Sequence, residues 1–305
     1  MRIVIALGGN ALLQRGEPSS AETQRRNVRT AARAIASVAK GNELVLTHGN
    51  GPQIGLLALQ ATGAEGMVQP LDVLGAETEG MIGYLLEQEL VNALGENRVA
   101  TLLTRVEVDP RDPAFAHPTK FIGPQYEAAA ARALARTRHW TLAQDGPKWR
   151  RVVASPEPRD ILEIRAIRLL AASGFVTICA GGGGIPVTRV DDHYEGVECV
   201  VDKDLTSALL AERLAADCLL MLTDVEAVFS GFGTPAAQAI RRSRPDELER
   251  QDFPAGSMGP KVMAACRFAR TGLGPACIGR LDQVADILAG RSGTRVVAES
   301  APGLD

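Results

Sequence analysis

Excess positive charge is the first thing this 305-residue sequence lacks: 33 basic residues stand against 36 acidic ones, a formal net charge of −3. A nucleic-acid footprint needs a basic surplus, so any anion site must be local. Aromatic residues make up only 4% of the chain, which leaves little for base stacking. The five cysteines form no Cys-x-x-Cys pair, and most sit in apolar runs such as Cys218–Leu222. They read as small buried hydrophobes in a reducing cytoplasm rather than as disulfides or zinc ligands. No apolar stretch approaches the roughly 18 residues of a membrane span. The N-terminal apolar run meets Gly8-Gly9 too soon for a signal peptide. The expectation is a cytoplasmic protein with neither a nucleic-acid nor a membrane partner. Two phosphate-binding signatures are also missing. There is no Gly-x4-Gly-Lys-Ser/Thr loop, and no Gly-x-Gly-x-x-Gly opens a helix after the first apolar run.

What is present is an alternation. Arg2–Leu7, Glu43–Thr47, Val99–Thr104, Val176–Ala180, Cys218–Thr223 and Arg295–Ala298 read as buried strands, because their apolar character is continuous rather than alternating. Helical spacing fills the intervals. Val28, Ala31, Ile35 and Val38 share one face behind a Ser19/Glu22 capping-box spacing. Further helices fit 72–94, 160–173, 205–215, 260–271 and 282–288. This predicts a single α/β domain over residues 1–305, with an open, mainly parallel central sheet and helices on both faces. One stretch breaks the rhythm. From about 107 to 158 the sequence is proline-rich and irregular and carries both tryptophans, so it reads as an inserted, protruding lid subdomain.

Ligands of open parallel sheets bind at the carboxyl ends of the strands. Three glycine turns fall there: Gly8-Gly9-Asn10, Gly49-Asn50-Gly51-Pro52, and Gly181 to Gly184. Such turns aim backbone N–H groups at an anion without adding side-chain charge. Any one alone is usually just a tight connection, but four consecutive glycines lose much entropy on folding and need a reason. Lysine is scarce, five residues against 28 arginines. Three of the five occupy distinctive contexts: Lys203 within Asp202-Lys-Asp204, Lys261 after Gly259-Pro260, and Lys120 in Pro118-Thr-Lys. A lone lysine is ordinarily a solvated surface charge. A cation at a helix start, as expected for Lys261, opposes the helix dipole unless an anion binds there. Phosphoryl transfer is mostly positioning and charge neutralisation, so glycine turns and lysines together point to it. His48 reads as a structural member of its turn, and His117, His139 and His193 show no metal spacing.

Nine segments, running in order over nearly the whole chain, resemble the carbamate kinase branch of the amino acid kinase family. They include 6–12, 47–55, 118–124, 149–153, 180–186, 201–204, 222–225 and Gly256-Ser-Met-Gly-Pro-Lys261. The resemblance implies that Gly8, Gly9, Asn10, Gly49, Asn50 and Gly51 hold the transferring phosphoryl group and the carbamate. Lys203 and Lys261 would stabilise charge in transfer, with Asp204 organising them, and Lys120 would reach carbamoyl phosphate from the lid. Thr223, Asp224, Val225, Phe229 and Met258 would form the nucleotide site, with Gly181, Gly182 and Gly183 near its phosphates. It further implies ADP or ATP with Mg²⁺, a homodimer, and a place in arginine or related nitrogen catabolism; no residue is assigned to the metal. Two departures stand out: Phe229 where the family usually has tyrosine, and Phe121 where it commonly has proline. Two other readings keep part of the pattern: a kinase for an amino-acid carboxylate, and a non-catalytic nucleotide sensor.

Overall fold

The computed structural model describes residues 1–9, 17, 20–60, 69–254 and 257–298. Eight strands among them form one sheet. Its spatial order is Arg242–Ser243, Thr294–Val296, Ala276–Arg280, Cys218–Thr223, Arg2–Leu7, Glu43–His48, Val176–Ile178 and Val99–Thr101. Neighbours run parallel except Ala276–Arg280 with Thr294–Val296. The first strand sits centrally and is covered on both sides, which is why its sequence is apolar throughout. Val4 and Ala6 pack with Leu209, Leu210, Val262 and Phe268, from helices Lys203–Arg213 and Met258–Arg270. Ile3, Ile5 and Leu7 pack with Ile35, Ile82 and Leu86, from helices Ala21–Ala36 and Leu71–Leu94. Burying each such Leu or Ile stabilises the fold by about 1.5–3 kcal/mol.

Several boundaries differ from the sequence reading, each for a local reason. Ser20, not Ser19, caps the first helix, its hydroxyl accepting from Thr23 N at 3.1 Å; Ser19 lies outside the described residues. The strand expected over 99–104 ends at Thr101, and Thr104 N–H bonds the Glu79 carboxylate instead. The helix expected from Asp160 starts at Ile164, because Pro158–Ile161 pairs as a strand with Arg105–Val108. The last strand is Thr294–Val296 rather than 295–298. Helix Gly51–Gln60 and strand Ala276–Arg280 go beyond that reading. The strand contains Gly279, where a Cβ would stand 2.6 Å from the tip of the Ile287 side chain and 3.2 Å from Gly293 Cα.

The stretch expected to protrude contains an antiparallel sheet ordered Lys120–Tyr126, Lys148–Val153, Leu142–Asp145, with helix Ala128–Arg138 beside it. It is seated on helix Gly51–Gln60 through Ile54, Ala58, Ile122 and Val153. No helix among the described residues is long and apolar enough to cross a membrane.

Candidate active site

The register of the parallel strands sets an order along one sheet edge. Leu7 pairs with Leu222 on one side and His48 on the other, and Leu46 pairs with Ile178. The turns that follow therefore lie in the sequence Thr223–Val225, Gly8–Gly9, Gly49–Gly51, Ala180–Gly184. Gly8 N–H donates to Leu222 O at 2.9 Å, and a Cβ on Gly8 would sit the same distance from that oxygen. A Cβ on Gly49 would stand 3.1 Å from Gly9 N. The first two turns are thus in backbone contact, an approach that a side chain on Gly49 would crowd. Asn10 lies outside the described residues.

The three lysines converge on two carboxylates. Asp202 caps helix Lys203–Arg213, its Oδ1 accepting from the N–H groups of Asp204 and Leu205 at 2.9 and 3.3 Å. Its other oxygen accepts from Lys120 Nζ at 2.5 Å. Asp204 accepts from Lys203 Nζ at one oxygen and Lys261 Nζ at the other, both at 2.9 Å. Asp202, Lys203 and Asp204 are buried. Burial works against charge on Asp204, yet the two ammoniums outweigh it and hold the carboxyl well below its usual range. Burial pulls Lys203 below its ordinary value. For Lys261 burial pulls the same way, but Asp204 outweighs it and raises the group. Three ammoniums against two carboxylates leave one positive charge over, which favours an arriving anion. Lys203 is the first residue of its helix and Lys261 lies in the first turn of Met258–Arg270, where helix N-termini add to that field.

The glycine run has a packing reason. A Cβ on Gly181 would stand 2.3 Å from His48 Nε2, on Gly182 2.0 Å from Asn50 Nδ2, and on Gly183 2.3 Å from Val201 O; Gly182, Gly183 and Gly184 also take positive φ. The N–H groups of Gly181, Gly183 and Gly184 go to Glu79 Oε1, Ala180 O and Gly181 O, so three of the four amides expected to face a ligand are turned inward. The run also lies at the far end of the edge from Thr223, beside Asn50. Thr223 Oγ1 donates to Asp224 Oδ1 at 3.1 Å. Phe229 is half-buried on the next strand, Val228–Ser230, its ring centroid 6.0 Å from that of Phe232. Met258 packs against the core at its helix start.

His48 is fully buried, and burial pulls it down to about 4. Its Nδ1 lies 3.3 Å from Gly49 O, so Nδ1 carries the proton. Nε2 is buried without a partner among the described residues. It is a wall of the Gly181 turn, a contact beyond the turn it begins itself. Sequence reasoning missed Thr78 and Glu79. Their signal was two polar residues on the inward, apolar stripe of helix Leu71–Leu94, next to Leu74, Ile82 and Leu86.

Three comparisons bear on this arrangement. The amino acid kinase family model matches residues 1–280. A carbamate kinase of Rhizobium meliloti is 56% identical over 300 residues, covering 96% of this chain and 92% of that protein. A carbamate kinase of Haemophilus influenzae is 54% identical, covering 98% of both chains. Among solved structures, the carbamate kinase of Giardia lamblia bound to AMP-PNP superposes with a TM-score of 0.88. It is 39% identical, over 97% of this chain and 98% of that one.

Proposed function

The chain belongs to the amino acid kinase family, among its carbamate kinases, and from that premise we infer that it moves a phosphoryl group between carbamoyl phosphate and ADP. The observation that carries the reading is the convergence of Lys120, Lys203 and Lys261 on Asp202 and Asp204. A β-phosphate oxygen of ADP attacks the phosphorus in line as the bond from phosphorus to the carbamoyl oxygen breaks. ATP and carbamate result, and the carbamate falls apart to ammonia and carbon dioxide. No covalent enzyme intermediate is needed. Lys203 and Lys261 neutralise the charge that spreads over the phosphoryl oxygens, and Asp204 holds both at fixed angles. The Gly8–Gly9 and Gly49–Gly51 turns cradle the group in transit. Lys120 reaches carbamoyl phosphate from the 107–158 segment, which acts as the substrate lid. Thr223, Asp224, Val225, Phe229 and Met258 form the nucleotide side. We assign Gly181–Gly183 to the opposite side, where they shape the carbamate pocket through Asn50.

Mg²⁺ enters with the nucleotide. Asp202 and Asp204 are taken up by lysines, and no three His, Cys, Asp or Glu side chains cluster as a metal site among the described residues. We assign the ion's contacts to the nucleotide phosphates. The chain works in the cytoplasm as a homodimer. Its five buried thiols suit the first and an exposed apolar face on helix Leu71–Leu94 supports the second.

The test is ATP formation from ADP and carbamoyl phosphate with Mg²⁺, run beside ATP consumption with acetylglutamate and aspartate. ATP from carbamoyl phosphate is expected; activity only on an amino acid would sink the reading. In the same assay Lys203→Ala and Lys261→Ala should each lower kcat by at least about 100-fold. Lys120→Ala should raise KM for carbamoyl phosphate more than KM for ADP. Near-wild-type turnover in the first two would remove the charge-stabilising roles.

A further inference from the structure

Thr78 is fully buried on the inward face of helix Leu71–Leu94. Its hydroxyl donates to Gly75 O at 2.9 Å. A hydroxyl has one proton, so with that bond made its oxygen can only accept. Asn50 Nδ2 lies 2.9 Å from it. The amide of Asn50 thus has a preferred sense: NH₂ toward Thr78, Oδ1 turned away. A flipped amide would set its oxygen against the Thr78 oxygen unless Thr78 gave up Gly75. The amide is also held flat from another direction. A Cβ on Gly182 would stand 2.0 Å from Nδ2, 2.3 Å from Cγ and 2.6 Å from Oδ1. The next glycine, Gly183, lies against Val201 O, at the approach to Lys203. Asn50 is buried, and among the described residues its amide's hydrogen bond runs from Nδ2 to Thr78.

We propose that Thr78 is a specificity-determining positioning residue: by orienting Asn50 it presents Oδ1 as an acceptor for the amino group of the carbamoyl substrate. The proposal rests on the carbamate kinase reading above. That amino group separates carbamoyl phosphate from other small acyl phosphates. Acetyl phosphate has nearly the same shape but places a methyl group there, which has no proton to give that acceptor. A site built to hydrogen-bond a substrate N–H rejects the analogue that lacks it. Thr78 touches no reacting atom, and its effect passes wholly through Asn50.

The experiment measures kcat/KM for carbamoyl phosphate and for acetyl phosphate as phosphoryl donors to ADP, in the wild type, Thr78→Val and Thr78→Ser. Valine keeps the shape and removes the oxygen; serine keeps the oxygen. In Thr78→Val the preference for carbamoyl over acetyl phosphate should fall about 10-fold. The loss should fall on KM for carbamoyl phosphate, with KM for ADP within about twofold of wild type. Thr78→Ser should keep the wild-type preference. Should Thr78→Val not fold, Thr78→Ala is scored by the same ratio. An unchanged preference in the folded variant, an equal loss on both donors, or a wild type with no preference would overturn the proposal. A wild type making no ATP from carbamoyl phosphate would instead overturn the function on which it rests.

Discussion

Glu79 and His48 flank the same glycine and make opposite demands on pH. The Glu79 carboxyl is buried and accepts from Gly181 N at 2.7 Å and Thr104 N at 3.1 Å. Burial nonetheless dominates and pushes it up to about 8 from an ordinary 4.5. Between those values the unfolded chain has lost this proton and the folded chain keeps it. Stability from this group therefore falls as pH rises through the window. His48, pulled down to about 4 from 6.5, works the other way. In its window the unfolded chain binds the proton and the folded chain does not, so stability is lost as pH falls below about 6.5. The difference between wild type and Glu79→Gln isolates the first effect, since other groups cancel. Melting temperatures followed from pH 5 to pH 9 should show the wild type losing ground relative to Glu79→Gln as pH rises. Parallel curves would mean that Glu79 does not hold its proton in the folded state.

At the scale of elements, the seating of the 107–158 segment decides where Lys120 points. A Cβ on Gly55 would stand 2.2 Å from both Cα and N of Gly123. Helix Gly51–Gln60 and strand Lys120–Tyr126 therefore touch backbone to backbone, and Lys120 begins that strand three residues before Gly123. Gly55→Ala must lift the strand and draw Lys120 from Asp202. The expected result is a KM for carbamoyl phosphate raised about 10-fold or more with KM for ADP nearly unchanged, because the proposed nucleotide side lies on other strands. Equal changes in both constants would mean that the contact is structural only. These contacts also mark what sequence could reveal. Strands Arg2–Leu7 and Cys218–Thr223 were legible to the residue, because burial on both faces leaves an uninterrupted apolar run. Lys203 and Lys261 were singled out by their rarity and their glycine or aspartate neighbours, and the fold brings both to Asp204. Gly55 was not, since its reason is a partner 68 residues away in the chain. The same holds for the inward-turned amides of Gly181, Gly183 and Gly184. A glycine run predicts closeness to something, and only the fold says that Asn50, His48 and Val201 are what it is close to.

At the scale of the molecule, helix Leu71–Leu94 faces two ways. Its inner face holds Asn50 and Gly181 through Thr78 and Glu79. Its outer face shows Val73, Met81 and Tyr84, with Tyr84 57% exposed, and Leu103 beside them is 53% exposed. A cavity of about 470 Å³ lies there, lined in part by Tyr84, Val91, Thr101 and Leu103. Strand Val99–Thr101 ends the sheet at this side. Large apolar side chains grouped beside a sheet edge are what a self-complementary two-fold contact buries. The homodimer reading places the partner on this face. Tyr84→Glu would then bury a carboxylate against its symmetry mate, so each substitution acts twice. Light scattering behind size exclusion should give twice the chain mass for the wild type and the single-chain mass for Tyr84→Glu, with an unchanged circular dichroism spectrum. A wild-type monomer would remove the dimer. A dimeric Tyr84→Glu protein would move the interface elsewhere. Because all three lysines of the site come from one chain, the monomeric variant should still form ATP. A raised KM for carbamoyl phosphate in that variant would show that the partner steadies the helix that holds Asn50.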